Sequence, residues 1–343
     1  MKAGLAQLLG RPVTSVAGIA GGRNSKVYRV SCADGSQFAA KVYFRHSADP
    51  RDRLGVEFTS LQFLWETGLR SIPQAVAVDR DRGYGVYEFI EGEKPSSGAV
   101  AESDIDYAVD FLAQLNQLAH RRDCTHIPPA SDACFSVHTI VRKIEARLSK
   151  LNEVESSEPQ HLALHGFLTG EFVPSFSTIQ SWCRSRSDAR GIPLDAVLED
   201  ECRTLSPSDF GFHNAIRRGD GRIAFLDFEY FGWDDPAKMI SDFVLHPGMD
   251  LGFNLKRRFV SGLLGRFQDP EKLASRIETV YPLFGLIWCL IILNEFVPEY
   301  LARRGFSSVV DLNRPALQES QLAKSRQLLN KINENYERFP YYE

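Results

Sequence analysis

The sequence has few of the features that mark several common classes of protein. Its six cysteines are scattered through 343 residues without a CxxC pair, which excludes a disulfide scaffold and indicates reduced thiols. The most apolar stretch, 283–293, is shorter than the roughly 20 residues needed to span a bilayer, so it predicts a buried core helix. The first residues lack the apolar segment of a signal peptide. We therefore expect a cytoplasmic protein without membrane insertion.

The charge is also not biased toward either sign. Lysine and arginine total 40 and aspartate and glutamate total 44, which gives a net charge of −4. No overall cationic field would attract a nucleic acid, so we expect no nucleic-acid partner. The 43% of hydrophobic residues is typical of a globular chain, and this length predicts two domains or lobes. The oligomeric state stays open.

The patterning changes once along the chain. Two β-rich runs at 26–32 and 37–44 flank Asp34-Gly35, a strong hairpin signal, and a helical pattern over 56–69 and two more β runs within 74–92 follow. After a Pro/Ser/Gly boundary near residue 95 the periodicity becomes mainly helical. This predicts an α+β fold with an antiparallel lobe over 1–95 and a helical lobe over 96–343. The expected helices in the second lobe include 107–120, 137–151, 176–186 and 194–203.

One region contains two carboxylates and an amide that could act together. Asp209 is followed by Asn214 and then by Asp227, which ends the apolar run IAFL. A carboxylate in such apolar surroundings needs a charged or hydrogen-bonding partner. Mg²⁺ is one such partner, and Asp227 with the Asn214 side-chain carbonyl is a reasonable ligand set. Asp209 would then orient a hydroxyl group and accept its proton.

The same segment resembles a known family. Asp209-x4-Asn214 and the triplet Asp227-Phe228-Glu229 resemble the catalytic loop and metal strand of the aminoglycoside phosphotransferase and choline kinase family. Glu229 stands where protein kinases have glycine, and this favours the small-molecule branch. One departure is Pro207, which stands where the family has histidine. Proline restricts φ and can itself make this loop rigid.

The resemblance extends into the first lobe. The segment GGRNSKVY is similar to the nucleotide loop of the family, which assigns Gly21, Gly22 and Asn24 to phosphate binding. Lys41 in FAAKVY is at the position of the phosphate-pairing lysine, and Glu57 is at the position of its ion-pair partner. A lysine on such an apolar strand is also a poor surface residue.

The segment Tyr87-Glu88-Phe89-Ile90 resembles the hinge between the two lobes of these kinases. The resemblance implies that the backbone groups of Glu88 and Ile90 bind an adenine edge.

Together the residues and the resemblance imply a bilobal protein-kinase-like fold. The expected reaction is transfer of the γ-phosphoryl group of ATP, with Mg²⁺, to a hydroxyl of a small molecule such as an aminoglycoside, an amino alcohol or a sugar. The alternative is a nucleotide-binding, pseudokinase-like scaffold without catalysis, which Pro207 suggests. A protein kinase is disfavoured by Glu229 and by the lack of an A-P-E segment.

Overall fold

The computed structural model describes residues 1–19, 25–44, 51–96, 98–121, 124–154, 158–300 and 313–342. Within these ranges the chain divides into two compact units. The first contains described residues of 1–99 and 207–232, and the second contains those of 100–206, 233–300 and 313–342.

The first unit is built on an antiparallel sheet of five strands with the order β1-β2-β3-β5-β4. The elements are α1 (Lys2–Leu9), β1 (Val13–Ile19), β2 (Ser25–Cys32), β3 (Gln37–Tyr43), α2 (Arg53–Glu66), β4 (Ala75–Asp79) and β5 (Tyr84–Glu88). The β2–β3 hairpin predicted from Asp34-Gly35 is confirmed: the Asp34 carboxylate accepts a hydrogen bond from the Ser36 N–H at 3.0 Å, and Gly35 has φ +82°.

The two faces of the central strand β3 carry different chemistry because neighbouring side chains point to opposite faces. Ala40 packs in an apolar cluster with Val30, Val86 and Leu5 of α1. Lys41 and Tyr43 lie on the other face and are also buried. Both faces of this strand are therefore covered, which explains the nearly continuous apolar sequence around Lys41.

Four short strands lie further along the chain: β6 (Thr204–Ser206), β7 (Ala215–Arg217), β8 (Ile223–Phe225) and β9 (Gly232–Asp234). β7 and β8 form an antiparallel hairpin in the first unit. Glu93 and Arg217 exchange backbone hydrogen bonds of 3.0 and 2.8 Å, so the chain that follows β5 pairs with β7. The Phe225 N–H also donates to the Ser71 carbonyl at 2.8 Å. Backbone hydrogen bonds thus join this hairpin to the rest of the first unit at Glu93 and at Ser71.

The second unit is mainly helical. Its helices are α3 (Glu102–Arg121), α4 (Val137–Asn152), α5 (Pro159–Phe167), α6 (Val173–Ala189), α7 (Pro236–Leu245), α8 (Phe253–Leu264), α9 (Pro270–Ile292) and α10 (Arg314–Asn335). A π-helical turn, Leu168–Phe172, joins α5 to α6. The predicted combination of a five-stranded antiparallel sheet with a larger helical part is confirmed.

The helix predicted over 194–203 is wrong. Gly191 ends α6 with φ +65°, and the chain then runs irregularly to a short 3-10 turn at Asp200–Cys202. The backbone of this irregular segment instead forms hydrogen bonds with residues at the start of α4 or just before it. The Leu194 carbonyl accepts from the His138 N–H at 2.8 Å, and the Leu198 N–H donates to the Phe135 carbonyl at 2.7 Å. Tertiary hydrogen bonds therefore replace the helical ones that the apolar spacing suggested.

The apolar segment 283–293 does lie in a buried helix, but that helix is longer than the segment. α9 begins at Pro270 and passes through Pro282, and its 3-10 extension ends at Phe296. These 27 residues are long and apolar enough to cross a membrane by length and composition, because they contain an apolar window of 18 residues with a mean hydropathy of 1.7. However, 78% of the apolar window is buried by the rest of the structure, as in the core helix of a globular protein.

Gly92 provides a test of the pairing beside β7. Its φ is +151°, and an added Cβ would lie 2.1 Å from the Arg217 carbonyl oxygen. We expect Gly92→Ala to lower the free energy of unfolding by about 2 kcal/mol, because the backbone must move away from β7. Gly219→Ala is the matched control, since a Cβ there meets nothing within 4 Å. Equal denaturation curves for the two variants would contradict this account of the pairing.

Candidate active site

A buried lysine forms the centre of the candidate site. Lys41 of β3 places its Nζ 2.6 Å from Glu57 Oε2 on α2 and 2.5 Å from Asp227 Oδ1, two residues beyond β8. The Lys41 side chain is 10% exposed, that of Glu57 is 5% exposed and that of Asp227 is 28% exposed. The fold thus brings together three residues that the sequence analysis singled out, and only Asp227 retains substantial access to solvent.

Glu229 adds a third carboxylate to this group. Its Oε2 lies 3.6 Å from Lys41 Nζ, and its Oε1 lies 3.3 Å from Nε of Arg53, the first residue of α2. The side chains of Glu229 and Arg53 are almost completely buried. The buried cluster therefore has two cations and three carboxylates, and Arg53 is a member that the sequence analysis missed.

The charges in this cluster are strongly coupled. Burial lowers the pKa of Lys41, but Asp227, Glu57 and Glu229 outweigh burial and raise it well above the ordinary value, so Lys41 is protonated. Burial raises the pKa of Glu57, which Lys41 opposes. Burial, followed by the charge of Asp227, raises the pKa of Glu229 to about 7. The cluster thus keeps a cation fixed at its centre.

Two tyrosines support Glu57 from the same face of the sheet. The Tyr43 hydroxyl donates to Glu57 Oε2 at 2.6 Å and lies 2.7 Å from the Tyr87 hydroxyl. Tyr43 is two residues after Lys41, and Tyr87 is opposite Ala39 on β5. The period of two along β3 could have identified Tyr43 from the sequence, whereas Tyr87 requires the strand register.

Asp209 lies in a loop whose backbone is held by local contacts. Ser208, just before it, has φ +69°, a conformation that is uncommon for a residue other than glycine. The Asp209 carbonyl accepts from Asn214 Nδ2 at 3.0 Å, and its Oδ1 lies 3.0 Å from His213 Nε2. The Phe210 ring packs on Phe225 of β8 with centroids 4.6 Å apart. His213 thus contacts the carboxylate of Asp209, a partnership that the sequence analysis did not predict.

The β7–β8 pairing places Asn214 close to the segment that carries Asp227. The Leu226 N–H donates to the Asn214 carbonyl at 2.8 Å, which continues the ladder by one residue before Asp227. Asp227 itself has φ +69° and leaves the ladder at this point. Because Asn214 uses its amide nitrogen on Asp209, its Oδ1 is the atom suited to a ligand.

Of the two residues predicted to bind adenine, Glu88 already uses its backbone N–H within the sheet. The Glu88 N–H donates to the Gln74 carbonyl at 2.8 Å, and the Glu88 carboxylate lies 3.3 Å from the Arg218 guanidinium. Ile90 is buried in the segment that leads to Glu93. Gly21, Gly22 and Asn24 lie outside the described residues, and their assignment stays a prediction.

The donor set is compatible with Mg²⁺. Oxygen atoms of Glu57, Asp227 and Glu229 lie within 4.8 Å of one another, and Mg²⁺ prefers oxygen ligands. Glu57 and Glu229 are buried beside Lys41 and Arg53, so Asp227 is the carboxylate of this group that solvent reaches best. The exposed side of Asp227 therefore fits a cation better than the centre of the cluster does.

Glu229 gives a test of these electrostatics. Its pKa is raised from 4.5 to about 7, so the folded chain holds a proton that the unfolded chain releases between these values. This contribution to stability is present at low pH and is lost as pH rises through about 7. Over this pH range the free energy of unfolding of Glu229→Gln should fall less than that of the unaltered protein, by up to about 3 kcal/mol. Denaturation at several pH values measures the slope, and an unchanged slope would refute the assignment.

Comparisons with known proteins agree with this fold. Residues 15–166 match the family model described as the phosphotransferase enzyme family. A search of curated protein sequences finds no match. Among solved structures, choline kinase LicA from Streptococcus pneumoniae has a TM-score of 0.60 and 16% identity, with 96% of this chain and 97% of that chain covered.

Two other solved structures have the same fold. The spectinomycin phosphotransferase APH(9)-Ia, in complex with ADP and spectinomycin, has a TM-score of 0.65 at 11% identity, covering 96% of this chain and 97% of that one. An ethanolamine kinase from Plasmodium vivax has a TM-score of 0.58 at 15% identity, covering 93% and 83%.

The family model that matches residues 15–166 describes phosphotransferases, and the solved structures have the same fold as this chain. The resemblance suggested by the sequence motifs is confirmed: this chain is similar to the aminoglycoside phosphotransferase and choline kinase family.

Proposed function

We propose that the protein transfers the γ-phosphoryl group of ATP to a hydroxyl of a small molecule. The observation that carries the proposal is the burial of Lys41 between Glu57 and Asp227, in the same unit as Asp209 and Asn214. A fixed cation beside a partly exposed carboxylate can bind a metal–nucleotide complex. Residues 1–95 would bind the nucleotide, and residues 96–343 would supply catalysis and acceptor binding.

The chain would bind the nucleotide at three places. Lys41, oriented by Glu57, would pair with the α- and β-phosphates through its fixed charge. Gly21, Gly22 and Asn24, which precede β2 in the sequence, would bind phosphate. The Glu88 N–H already binds Gln74, so the Glu88 carbonyl and the Ile90 backbone are the groups for the adenine edge. Related structures with bound ADP or ATP support nucleotide binding.

Asp227 and the Oδ1 of Asn214 would hold Mg²⁺. When bound, the ion would neutralise phosphate charge and orient the transferred group. The chain supplies this site with two oxygen donors on adjacent segments, because the Leu226 N–H pairs with the Asn214 carbonyl. The positive φ of Asp227 turns the chain out of the ladder where the carboxylate is needed.

Asp209 would orient the acceptor hydroxyl and accept its proton as the oxygen attacks phosphorus. Its loop is restrained by Asn214 and by the packing of Phe210, which keeps the carboxylate in place. His213 contacts the same carboxylate through Nε2 and would limit its rotation. Most of the rate enhancement would then come from positioning and electrostatics.

The acceptor belongs to a class of small hydroxyl compounds that includes aminoglycosides, amino alcohols and sugars. Solved relatives are described as choline and ethanolamine kinases and as a complex with gentamicin. An amine-bearing alcohol fits the excess of acidic residues in the chain, which has a net charge of −4. A panel of choline, ethanolamine, gentamicin and spectinomycin, each with ATP and Mg²⁺, is the direct test of this class.

Asp209→Asn tests the proposed base. We expect ADP formation with an active acceptor to fall by a factor of about 10² to 10⁴, whereas ATP affinity stays within about twofold, because only proton transfer and acceptor orientation are lost. Asp220→Asn is the control: Asp220 follows β7 in the turn to β8 and pairs with Arg222 at the surface. Unchanged turnover in Asp209→Asn would rule out Asp209 as the base. Tight ATP binding without turnover in the unaltered protein would favour the scaffold instead.

Asp227→Asn tests the proposed metal ligand. We expect Mg²⁺ to increase ADP affinity in the unaltered protein and in Asp220→Asn, and to have little effect in Asp227→Asn, because the charged ligand is lost. Calorimetric titration with ADP, in Mg²⁺ or in a chelator, separates metal-dependent from metal-independent binding. The same Mg²⁺ effect in all three proteins would contradict the assignment of Asp227.

A further inference from the structure

The helical unit contains a cavity of about 490 Å³ that phosphoryl transfer does not explain. It lies between the C-terminal part of α3, the start of α4, the end of α6 and the start of α9, and the irregular chain at 192–202 forms one wall. Its volume is within the range of small-molecule sites. Among the described residues, the lining includes none that we assign to ATP, Mg²⁺ or the transferred proton.

One polar atom in the lining, the Oδ1 of Asn116, has no hydrogen-bond partner among the described residues. Asn116 on α3 is only 4% exposed, and its Oδ1 is buried without a hydrogen bond. A buried acceptor of this kind destabilises the folded state unless a donor reaches it. A donor that enters the cavity would remove this destabilisation, so Asn116 Oδ1 specifies the chemistry of an occupant.

The lysine and arginine side chains that line the cavity are already paired with carboxylates. Arg276 lies 2.6 Å from Asp235, Arg190 lies 3.6 Å from Glu278, and Lys272 lies 2.7 Å from Glu199. Arg190 also donates to the Thr279 hydroxyl at 3.1 Å. These cations have carboxylate partners, so an anionic ligand would have to displace them. Of the lining carboxylates, Asp269 accepts a hydrogen bond from the Lys272 N–H at 2.9 Å, and Glu201 is exposed to solvent. The charge pattern therefore favours an uncharged occupant over an anionic one.

The remaining wall is largely apolar. Val137 and Leu273 are buried in the lining, whereas Ile192 and Val197 are 53% and 63% exposed. The two exposed side chains lie in the segment where tertiary hydrogen bonds replace a helix. Exposed apolar side chains beside a partly enclosed cavity are typical of a ligand site.

We propose that this cavity binds an uncharged, mainly apolar small molecule that donates a hydrogen bond to Asn116 Oδ1. The proposal is independent of the proposed kinase reaction, because every residue that lines the cavity belongs to the helical unit. It requires three things together: sufficient volume, an apolar wall and one unpartnered acceptor.

Two matched probes test the required donor. 2-Naphthol carries an O–H donor, and 2-methoxynaphthalene has nearly the same apolar surface without one. We expect calorimetric titration of the full chain, in saturating MgADP, to show about tenfold tighter binding of 2-naphthol, because the ether leaves Asn116 Oδ1 unpaired. Equal affinities, binding of neither probe, or loss of 2-naphthol binding when MgADP is added would each overturn the proposal.

Variants on α3 then assign the preference to Asn116. Asn116→Leu keeps a similar volume and removes the acceptor, so we expect both probes to bind it with equal affinity. Gln117→Leu is the control on the same helix, since Gln117 is exposed and does not line the cavity. It should keep the tenfold preference. A preference that survives in Asn116→Leu would overturn the assignment.

Cys202 gives an independent readout in the unaltered protein. It lines the cavity and is partly exposed, whereas the other five cysteines are buried. We expect 2-naphthol to slow the alkylation of Cys202 by N-ethylmaleimide severalfold, as measured by mass spectrometry of its peptide, and 2-methoxynaphthalene at the same concentration to slow it less. No protection of Cys202 under conditions where 2-naphthol binds would place the probe elsewhere and overturn the proposal.

Discussion

The first unit depends on one buried cation. Lys41 is surrounded by Glu57, Asp227 and Glu229, and removing the lysine would leave these carboxylates without their shared cation in a poorly solvated place. The four residues come from β3, α2 and the chain after β8. Their pairing therefore joins the sheet, its helix and the β7–β8 hairpin. Stability and the proposed chemistry require the same contact.

This arrangement explains why the surrounding structure is so constrained. Tyr43 and Tyr87 hold Glu57 in a hydrogen-bonded chain, and Arg53 holds Glu229. Asp227 differs from the other two carboxylates because it retains contact with solvent. A group that must bind a cation from solution needs such access, whereas a group that orients a lysine is better protected from it. In this cluster, Glu57 and Glu229 thus support the structure, and Asp227 is the carboxylate left for the proposed metal ion.

The helical unit has a different balance of interactions. Its cavity lies beside a segment whose backbone is bound to residues near the start of α4, and this segment leaves Ile192 and Val197 exposed. Asn116 of α3 supplies a buried acceptor in the same lining. The surrounding cations are neutralised by nearby carboxylates. A mainly apolar ligand with one donor would satisfy these features together.

The sequence alone determined the main elements and most of the candidate site. The Asp34-Gly35 turn identified the central hairpin, the spacing of Asp209, Asn214 and Asp227 indicated the segment that we propose to be catalytic, and the apolar context of Lys41 showed that this lysine is not an ordinary surface residue. These signals are local, because turn chemistry and strand alternation act over a few residues. Tertiary structure decided the rest. Only strand register places Tyr87 beside Tyr43, only folding brings Arg53 to Glu229, and only long-range hydrogen bonds replace the helix expected at 194–203, because each depends on contacts between segments that are distant in the chain.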